Sequence, residues 1–192
     1  PCYKPGVHFE KVLDDLNNQT SNNFEVIFAD DGNDEPLEPR ISVRLKRPYQ
    51  VIRFQTNRGI VAGLNACINH AQTPYIIRMD ADDRMPQNRI ERQLQFMTAH
   101  PEVDIAGGSQ VTFGAGLRVW SKPCAKDEVT AALLWATSLN HPTIIGRTDV
   151  LKQNPYPNGY SLAEDYALWI SLASKGVHIT NVPDVIHYYR IE

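Results

Sequence analysis

The chain has 192 residues, 42% of them hydrophobic and 21% charged, which suits one globular domain with a full core. Its net charge of −3, with dispersed Lys and Arg, argues against nucleic acid as a partner, and no apolar run approaches the length of a membrane span. The three cysteines are odd in number and lack a Cys-x-x-Cys spacing, so we expect reduced thiols in a cytoplasmic protein.

The first thirty residues predict one helix and one strand. Residues 1–6 form a turn that resembles the end of a strand, and because no Met precedes them we expect a fragment of a longer chain. Apolar residues recur at helical spacing over 7–16 and predict a helix of about three turns. The β-rich run 24–29 predicts a strand, which stops at the paired carboxylates Asp30 and Asp31.

The next stretch ends in a second group of carboxylates. Its predicted elements are a loop over 33–50 with a short edge strand around 41–45, a strand over 51–54, a helix over 60–71 and a strand over 75–79. The last of these strands runs into Asp80, Asp82 and Asp83, three carboxylates within four positions.

The second half is predicted to contain both helices and strands, without a regular alternation. A helix is expected to begin at Pro86, with Ile90 and Met97 facing inward and with Arg89 and Gln93 in solvent. The other predicted elements are a strand over 103–107, a hairpin over 111–119, a helix over 127–137, a strand over 141–146, a helix over 164–174 that buries Leu168, Trp169 and Leu172, and two short strands over 177–182 and 185–189.

Two strands of the first half end at carboxylates, and this arrangement favours a ligand site. Strands alternate with helices through that half, which predicts a largely parallel sheet covered on both faces. Ligands of such sheets bind beyond the carboxyl ends of the strands, where Asp31 and residues 80–83 are expected. Clustered carboxylates commonly bind a divalent cation with phosphate oxygens, although a solvated acidic turn has the same composition.

Five segments in order resemble the motifs of family-2 glycosyltransferases with the GT-A fold. They are residues 18–20, 23–32, 57–59, 79–83 and 164–169. The resemblance covers nearly the whole chain and implies an α/β fold with a mixed, mostly parallel sheet sandwiched by helices and a Rossmann-like first half. It implies one domain over 1–192, whose nucleotide-sugar-binding half is 1–100 and whose acceptor-binding half is 101–192. The implied reaction is sugar transfer from a nucleotide diphosphate with inversion, using Mg²⁺ or Mn²⁺.

The resemblance also assigns the donor side. Tyr3 would stack on the base, unless it is a partly buried core residue, and Asp31 would accept a hydrogen bond from the base edge. Arg58 would neutralise phosphate, unless it is an ordinary exposed loop residue. Gly59 would accompany it or only let the backbone turn, and Asp80 would lie near the ribose.

The metal ligands implied by the resemblance are Asp82 and Asp83. Asp83 would share the metal ion or replace Asp82, or would instead cap the helix that follows. A histidine near the C-terminus completes the metal site in the family, but here His187 precedes the matching segment, and Glu192 stands near the expected place. The third ligand is therefore left open.

On the acceptor side, Asp165 is the expected general base and Glu164 would orient or contact the acceptor. The alternatives are that Asp165 is a plain first-turn acid and that Glu164 caps the helix. Trp169 would form an acceptor platform or, as we favour, pack in the core. His141 would line the acceptor side or be structural.

These assignments predict an enzyme that uses a nucleotide diphosphate sugar, with UDP as the expected nucleotide. The acceptor would be a glycan or a lipid-linked sugar in surface polysaccharide synthesis, with peripheral membrane association through missing segments at the inner face. One alternative is a non-catalytic nucleotide-binding module of a larger protein. The other is a sugar nucleotidyltransferase, which fits less well because no Gly-x-Gly-x-Arg loop is present.

Overall fold

A computed structural model describes residues 1–191 as an α/β fold with two sheets. The helices are α1 (Phe9–Asn17), α2 (Glu38–Ser42), α3 (Ile60–His70), α4 (Arg89–Ala99), α5 (Lys126–Ala132), α6 (Thr148–Gln153) and α7 (Glu164–Ser174). The strands are β1 (Val26–Asp31), β2 (Tyr49–Phe54), β3 (Tyr75–Ile77), β4 (Ile105–Gly114), β5 (Val119–Trp120), β6 (Ile145–Arg147) and β7 (Ile179–Ile191). A single 3-10 turn, His141–Thr143, precedes β6.

The first sheet is the parallel pair of β1 and β2, paired along their full lengths. On the opposite edge of β1, Cys2 forms a parallel bridge with Asp30. The Cys2 N–H donates to the Ala29 carbonyl at 2.7 Å, and the Cys2 carbonyl accepts from the Asp31 N–H at 3.0 Å. The opening residues therefore lie where a strand beside β1 would end, as the sequence predicted.

The second sheet has the order β3-β6-β4-β5, and β7 pairs with β4 on its other edge. The β4–β7 pairing is parallel and is the longest of the sheet, whereas the β3–β6, β4–β6 and β4–β5 pairings are antiparallel and short. The sheet is therefore mixed, and its longest pairing is parallel. This is the α/β arrangement that the GT-A resemblance implied.

The edge strand predicted around 41–45 is wrong, because helix α2 ends within this stretch at Ser42 and a turn follows in which the Leu45 N–H donates to the Ile41 carbonyl. Ile41 and Leu45 are buried, while Val43 between them is 85% exposed. A strand would place all three side chains on one face, whereas a helix brings only residues four apart together. Pro39 lies in the first turn of α2, where its missing N–H costs nothing.

Helix α4 begins at Arg89, three residues later than predicted. The preceding turn is held by Gln19, whose Nε2 donates to the Pro86 carbonyl at 2.9 Å and whose Oε1 accepts from the Ile90 N–H at 3.2 Å. The prediction that Arg89 and Gln93 face solvent is also wrong, since both are fully buried. They share a helix face with Met97, because the three residues are spaced four apart.

Several other predicted boundaries differ from the structure, and the strand predicted over 141–146 is wrong in its first half, where residues 141–143 form the 3-10 turn. Strand β4 continues from the predicted strand over 103–107 into the predicted hairpin, and β7 joins the two predicted C-terminal strands. The register between β4 and β7 shifts near Ser109, so Pro183 and Asp184 lie in the resulting bulge. Helix α5 is shorter than predicted, and α6 was not predicted.

Three clusters of buried apolar side chains form the core. One joins α1 and β1 to Met79, Ala81 and Met85, which lie between and beside the aspartates of residues 80–83. A second collects residues from α3, α5, α6 and α7, including Leu168, Trp169 and Leu172, which are buried as predicted. The third lies between α4, β6 and β7. Among residues 1–191 no helix is both long and apolar enough to cross a membrane.

Gly32 fixes the turn that follows β1. Its φ is +71°, and a Cβ at this position would lie 2.3 Å from the Asn57 nitrogen. We expect Gly32→Ala to lower the free energy of unfolding by more than the roughly 1–3 kcal/mol of the left-handed conformation alone, because the backbone of residues 56–57 must also move. Gly159→Ala is the matched control, since Gly159 has a φ of +88° and open space around it.

Urea unfolding of both variants measures the difference. Gly32→Ala should lose more stability than Gly159→Ala. Equal losses would mean that the close approach between residue 32 and residues 56–57 does not matter.

Candidate active site

The acidic segment 80–84 follows β3 and is fastened to β7. Arg84 and Tyr188 form an antiparallel bridge in which each N–H donates to the other carbonyl, at 3.0 and 2.9 Å. The Arg190 Nε also donates to the Asp82 carbonyl at 2.9 Å. The backbone of this segment is therefore held by a strand about a hundred residues away in the chain.

Asp80 forms a two-pronged ion pair with Arg78. The two guanidinium nitrogens lie 2.7 and 2.6 Å from the two carboxylate oxygens of Asp80. Arg78 itself is buried, and its Nε is a buried donor without a partner within residues 1–191. The sequence interpretation missed Arg78, although a spacing of two residues on an extended chain places both side chains on one face.

Asp83 is buried and both of its oxygens accept hydrogen bonds. The Arg190 N–H donates to Oδ1 at 2.7 Å, and the His187 Nε2 lies 2.7 Å from Oδ2. The alternative that Asp83 caps the following helix is wrong, because the N-cap of α4 is Asn88. Asp83 therefore anchors the acidic segment to β7 with both oxygens engaged.

Arg89 fixes the tautomer of His187. A guanidinium has only donors, and the Arg89 Nη1 lies 3.1 Å from the His187 Nδ1, so Nδ1 accepts and the ring proton is on Nε2. Burial lowers the pKa of His187 well below its usual range, and the charge of Arg89 adds to this effect. The neutral ring therefore donates to Asp83 and has no lone pair free for a metal ion.

The same geometry decides the charge state of Asp83. Burial raises the pKa of Asp83 to about 7, while the N–H of Arg190 opposes this rise. A protonated Asp83 would have to donate to the Nε2 of His187, but that nitrogen already carries the ring proton. The hydrogen bonds therefore fit the carboxylate form.

Asp82 is the exposed member of the acidic segment and forms no ion pair within residues 1–191. Burial raises the pKa of Asp82, and the charges of Asp83 and Asp80 raise it further. Among the described residues no three His, Cys, Asp or Glu side chains converge as a complete metal site. Asp82 is the carboxylate of this segment that could hold an Mg²⁺ or Mn²⁺ ion, because such ions need only one or two protein carboxylates when phosphate oxygens and water are present.

The third metal ligand, which the sequence left open, is not His187 in this arrangement, because both of its ring nitrogens are engaged in hydrogen bonds. Glu192 lies outside the described residues.

The end of β1 presents two carboxylates with different surroundings. Asp30 is buried and accepts from Asn33, Arg53 and the Leu37 N–H, so it is structural. Asp31 accepts from the backbone N–H groups of residues 58 and 59, at 2.7 and 3.0 Å. Asp31 thus organises the turn at the start of α3.

The resemblance also assigned Arg58, Gly59 and Tyr3 to the donor. The Arg58 side chain is exposed, with its guanidinium carbon 4.9 Å from the Phe54 ring centre. Gly59 is the N-cap of α3 and has a φ of +84°. Tyr3 is 49% exposed, so the alternative of a core tyrosine is wrong.

Cys2 shows that β1 and the acidic segment lie close together. Burial raises the pKa of the Cys2 thiol to about 11, and the charges of Asp30 and Asp80 add to this effect. Cys2 also shares an apolar cluster with Phe28 of β1 and with Met79 and Ala81, so the chain that follows β3 packs near the end of β1. The prediction that both groups of carboxylates lie at one edge of a single parallel sheet is wrong, because β1 and β3 belong to different sheets.

Asp165 and Glu164 open helix α7. Asp165 is partly exposed, and its Oδ1 accepts from the Tyr166 N–H at 2.8 Å. Glu164 is buried, but the N-cap of α7 is Ala163 and no side chain caps this end, so the capping alternative for Glu164 is not seen in the described chain. The Lys122 ammonium, whose pKa is lowered by burial and raised by Asp165, is a nearby charge that the sequence did not reveal.

An aromatic group packs against helix α7. The His141 Nε2 lies 2.8 Å from the Tyr156 hydroxyl, and both rings pack against Trp169, which is fully buried. The core interpretation of Trp169 is therefore confirmed. Burial raises the pKa of Tyr156, while the Arg78 charge lowers it and the charges of Asp165, Glu164 and Asp80 raise it.

Two curated relatives match most of the chain. A glycosyltransferase of Haemophilus influenzae is 30% identical over 180 residues, covering 90% of this chain and 66% of its own length. The amylovoran biosynthesis glycosyltransferase AmsE of Erwinia amylovora is 27% identical over 188 residues, covering 95% of this chain and 70% of its own length. The chain therefore spans about two thirds of the length of these relatives.

Two solved structures share the fold. TarS residues 1–349 of S. aureus in complex with UDP-GlcNAc matches with a TM-score of 0.78 at 19% identity, over 100% of this chain and 57% of that one. The mannosyltransferase PcManGT of Pyrobaculum calidifontis, in complex with GDP-Man and Mn²⁺, matches with a TM-score of 0.73 at 18% identity, over 98% of this chain and 54% of that one. At this identity the likeness shows the GT-A type fold alone.

The model of the family described as "Glycosyl transferase family 2" matches residues 1–154, which include the acidic segment, the end of β1 and the 3-10 turn. On this evidence the chain belongs to glycosyl transferase family 2.

Proposed function

We propose that this domain transfers a sugar from a nucleotide diphosphate donor to an acceptor hydroxyl, with inversion at the anomeric carbon and with Mg²⁺ or Mn²⁺ as cofactor. The observation that carries the proposal is that the three aspartates of the acidic segment have different surroundings. Asp80 and Asp83 are held by protein donors, and Asp82 alone is exposed without an ion pair in the described chain. One fixed and open carboxylate is what a cation needs when phosphate oxygens and water supply its other ligands.

The donor would lie along the edge formed by β1 and the acidic segment, in the half over 1–100. Asp31 is buried and accepts from two N–H groups, so it would accept from the base with a lone pair that they leave free. Tyr3 would stack on the base, since Tyr3 is exposed beside the bridge between Cys2 and β1. Asp80 would accept from the ribose with the lone pairs that Arg78 leaves free. Arg58 and Gly59 would face the phosphates.

The cation, when bound between Asp82 and the diphosphate, would stabilise the negative charge that the leaving group develops. Asp83 is proposed to serve as the anchor of Asp82 rather than as a second ligand, because both of its oxygens already accept hydrogen bonds.

The acceptor would approach from the half over 101–192. Asp165 would take the proton from the attacking hydroxyl, because its carboxylate is partly exposed at the N-terminus of α7, where the helix dipole favours the charged form. Glu164 would contact or orient the acceptor, with His141 and Tyr156 behind it. Inversion requires the base and the leaving group to lie on opposite sides of the anomeric carbon.

UDP is our proposed nucleotide, and surface polysaccharide or a related glycan is the proposed product. TarS binds UDP-GlcNAc, and AmsE is named for amylovoran biosynthesis, whereas PcManGT binds GDP-Man, so GDP-sugars belong in the test. A glycan or lipid-linked acceptor and a cytoplasmic location, with possible contact to the inner membrane face, remain predictions.

The test is incubation with Mn²⁺ and a panel of UDP- and GDP-sugars, with and without oligosaccharide acceptors. We expect release of nucleoside diphosphate from one donor class, and loss of this release when EDTA removes the metal. Release of pyrophosphate would instead identify a nucleotidyltransferase. Tight nucleotide binding without any release, also in the full-length protein, would identify a non-catalytic binding module.

A further inference from the structure

Arg89 is a fully buried charged residue that the proposed reaction does not use. Its guanidinium donates to the carbonyls of Arg78 and Pro142, both at 2.7 Å, and to the Gln93 Oε1 at 3.0 Å. Its remaining recorded partner is the Nδ1 of His187 at 3.1 Å. Arg89 thus touches the strand before the acidic segment, the 3-10 turn on the acceptor side, and β7.

None of the direct partners of Arg89 is a carboxylate. Burial lowers the pKa of Arg89 to about 9, and the charge of Arg78 contributes, yet the group stays protonated at neutral pH. A buried charge of this kind is poor evidence for added stability, since an apolar side chain of similar volume often does as well. What an apolar side chain does not supply is a donor directed at Nδ1 of His187.

The hydrogen bond from Arg89 to His187 affects the acidic segment through Asp83. It keeps the His187 proton on Nε2, so that His187 donates to Asp83 at 2.7 Å and cannot turn into an acceptor there. Asp83 receives its second hydrogen bond from the Arg190 N–H and holds the loop from which Asp82 is exposed. Partners that orient a ligand in this way contribute to metal affinity without touching the metal.

We propose that Arg89 and His187 are positioning residues of the acidic segment: Arg89 sets the tautomer of His187, His187 holds Asp83, and Asp83 fixes the loop that presents Asp82 to the cation and the diphosphate. This inference rests on the proposed function for the identity of the ligand. It assigns His187 a role other than metal ligation, and it gives Asp83 a role other than sharing the metal ion with Asp82.

The first test is the tautomer itself, which needs no metal and no activity. Long-range ¹H–¹⁵N NMR of histidine-labelled protein should show His187 as the neutral ring protonated on Nε2. In Arg89→Met the Nδ1 loses its donor and becomes free to take a proton, so the signal of the neutral Nε2-protonated ring should give way to a charged ring or to a mixture of forms. A wild-type ring protonated on Nδ1, or a charged ring, would overturn the proposal, and so would an unchanged tautomer in Arg89→Met.

The second test is binding of UDP with Mn²⁺, measured by calorimetry on variants shown to be folded by cooperative melting. His187→Met removes the donor to Asp83 and should weaken binding about 10-fold or more, the range found when outer-shell partners of metal sites are lost. His187→Gln keeps an N–H near the position of Nε2. Its affinity for UDP with Mn²⁺ should stay within about threefold of the wild type, which is less than the loss expected for His187→Met.

Met97→Ala is the matched control for general loosening, because Met97 is buried on the same face of α4 but contacts no part of the acidic segment. It should melt earlier and bind normally. The proposal is wrong if folded His187→Met binds as tightly as the wild type, or if His187→Gln and Met97→Ala lose as much affinity as His187→Met.

The two proposals fail in different ways. If the wild type binds no nucleotide with Mn²⁺, the proposed function fails, while the NMR measurement still decides whether Arg89 sets the tautomer. If the wild type binds and turns over its donor but the His187 variants behave alike, only the positioning proposal fails.

Discussion

Asp165→Asn is expected to reduce turnover about 100- to 10,000-fold, the usual contribution of a general base, and to leave donor binding nearly unchanged. The amide keeps the shape of the side chain and its hydrogen bond to the Tyr166 N–H, which is 2.8 Å long in the wild type. It removes the lone pair that would take the acceptor proton. Steady-state rates together with calorimetry of UDP and Mn²⁺ separate the two effects.

Asp149→Asn is the matched control for this experiment. Asp149 is also a first-turn aspartate whose Oδ1 accepts from the next N–H, at 2.9 Å, but it is exposed on α6 and has no part in the proposed site. It should keep full turnover. If Asp165→Asn also loses nucleotide binding, Asp165 belongs to the donor site and is not the base.

Asp82→Asn should have the second large effect, on metal-dependent binding. The substitution removes the exposed carboxylate that is proposed to hold the metal ion. Binding of UDP with Mn²⁺ should therefore weaken by at least about 10- to 100-fold, the range found when residues that only support metal ligands are mutated. Binding of UDP in EDTA should change little. Folding stability should stay close to that of the wild type, because Asp82 forms no ion pair in the described chain.

Asp83→Asn and Asp184→Asn complete the comparison. Asp83 is buried with both oxygens hydrogen-bonded, so its replacement should lower stability by about 1–3 kcal/mol, while Asp184 has an exposed ion pair worth about 0–1 kcal/mol. Urea unfolding measures both. If Asp82→Asn binds Mn²⁺ normally and a stable Asp83→Asn does not, the two aspartates have the opposite roles.

Much of the fold could be predicted because the hydrophobic period of several segments is unambiguous. Helix α7 has its predicted bounds, and Leu168, Trp169 and Leu172 are buried on its inner face. Strand β1 and its two terminal aspartates were also visible, since a β-rich run that stops at carboxylates is a local pattern. The site was predictable to the extent that it follows from such strand ends.

What the sequence did not reveal depends on contacts between distant residues or on ambiguous spacing. Ile41 and Leu45 are four apart, which fits one face of a helix and one face of a strand equally, and only the exposure of Val43 separates the two. His187 and Asp83 are 104 residues apart, and their hydrogen bond leaves no local pattern. Buried Arg89 breaks the rule that arginine faces solvent, because its partners lie on three other segments.

The central claim is that the domain transfers a sugar with inversion, with Asp82 holding the metal ion and Asp165 acting as the general base. The most direct measurement is a ¹H NMR time course with Mn²⁺ and the α-linked donor that the panel identifies, read at the anomeric proton of the first product. The account predicts a β-configured product, formed together with nucleoside diphosphate and absent in Asp165→Asn. A first product of α configuration, or release that persists in Asp165→Asn, would contradict it.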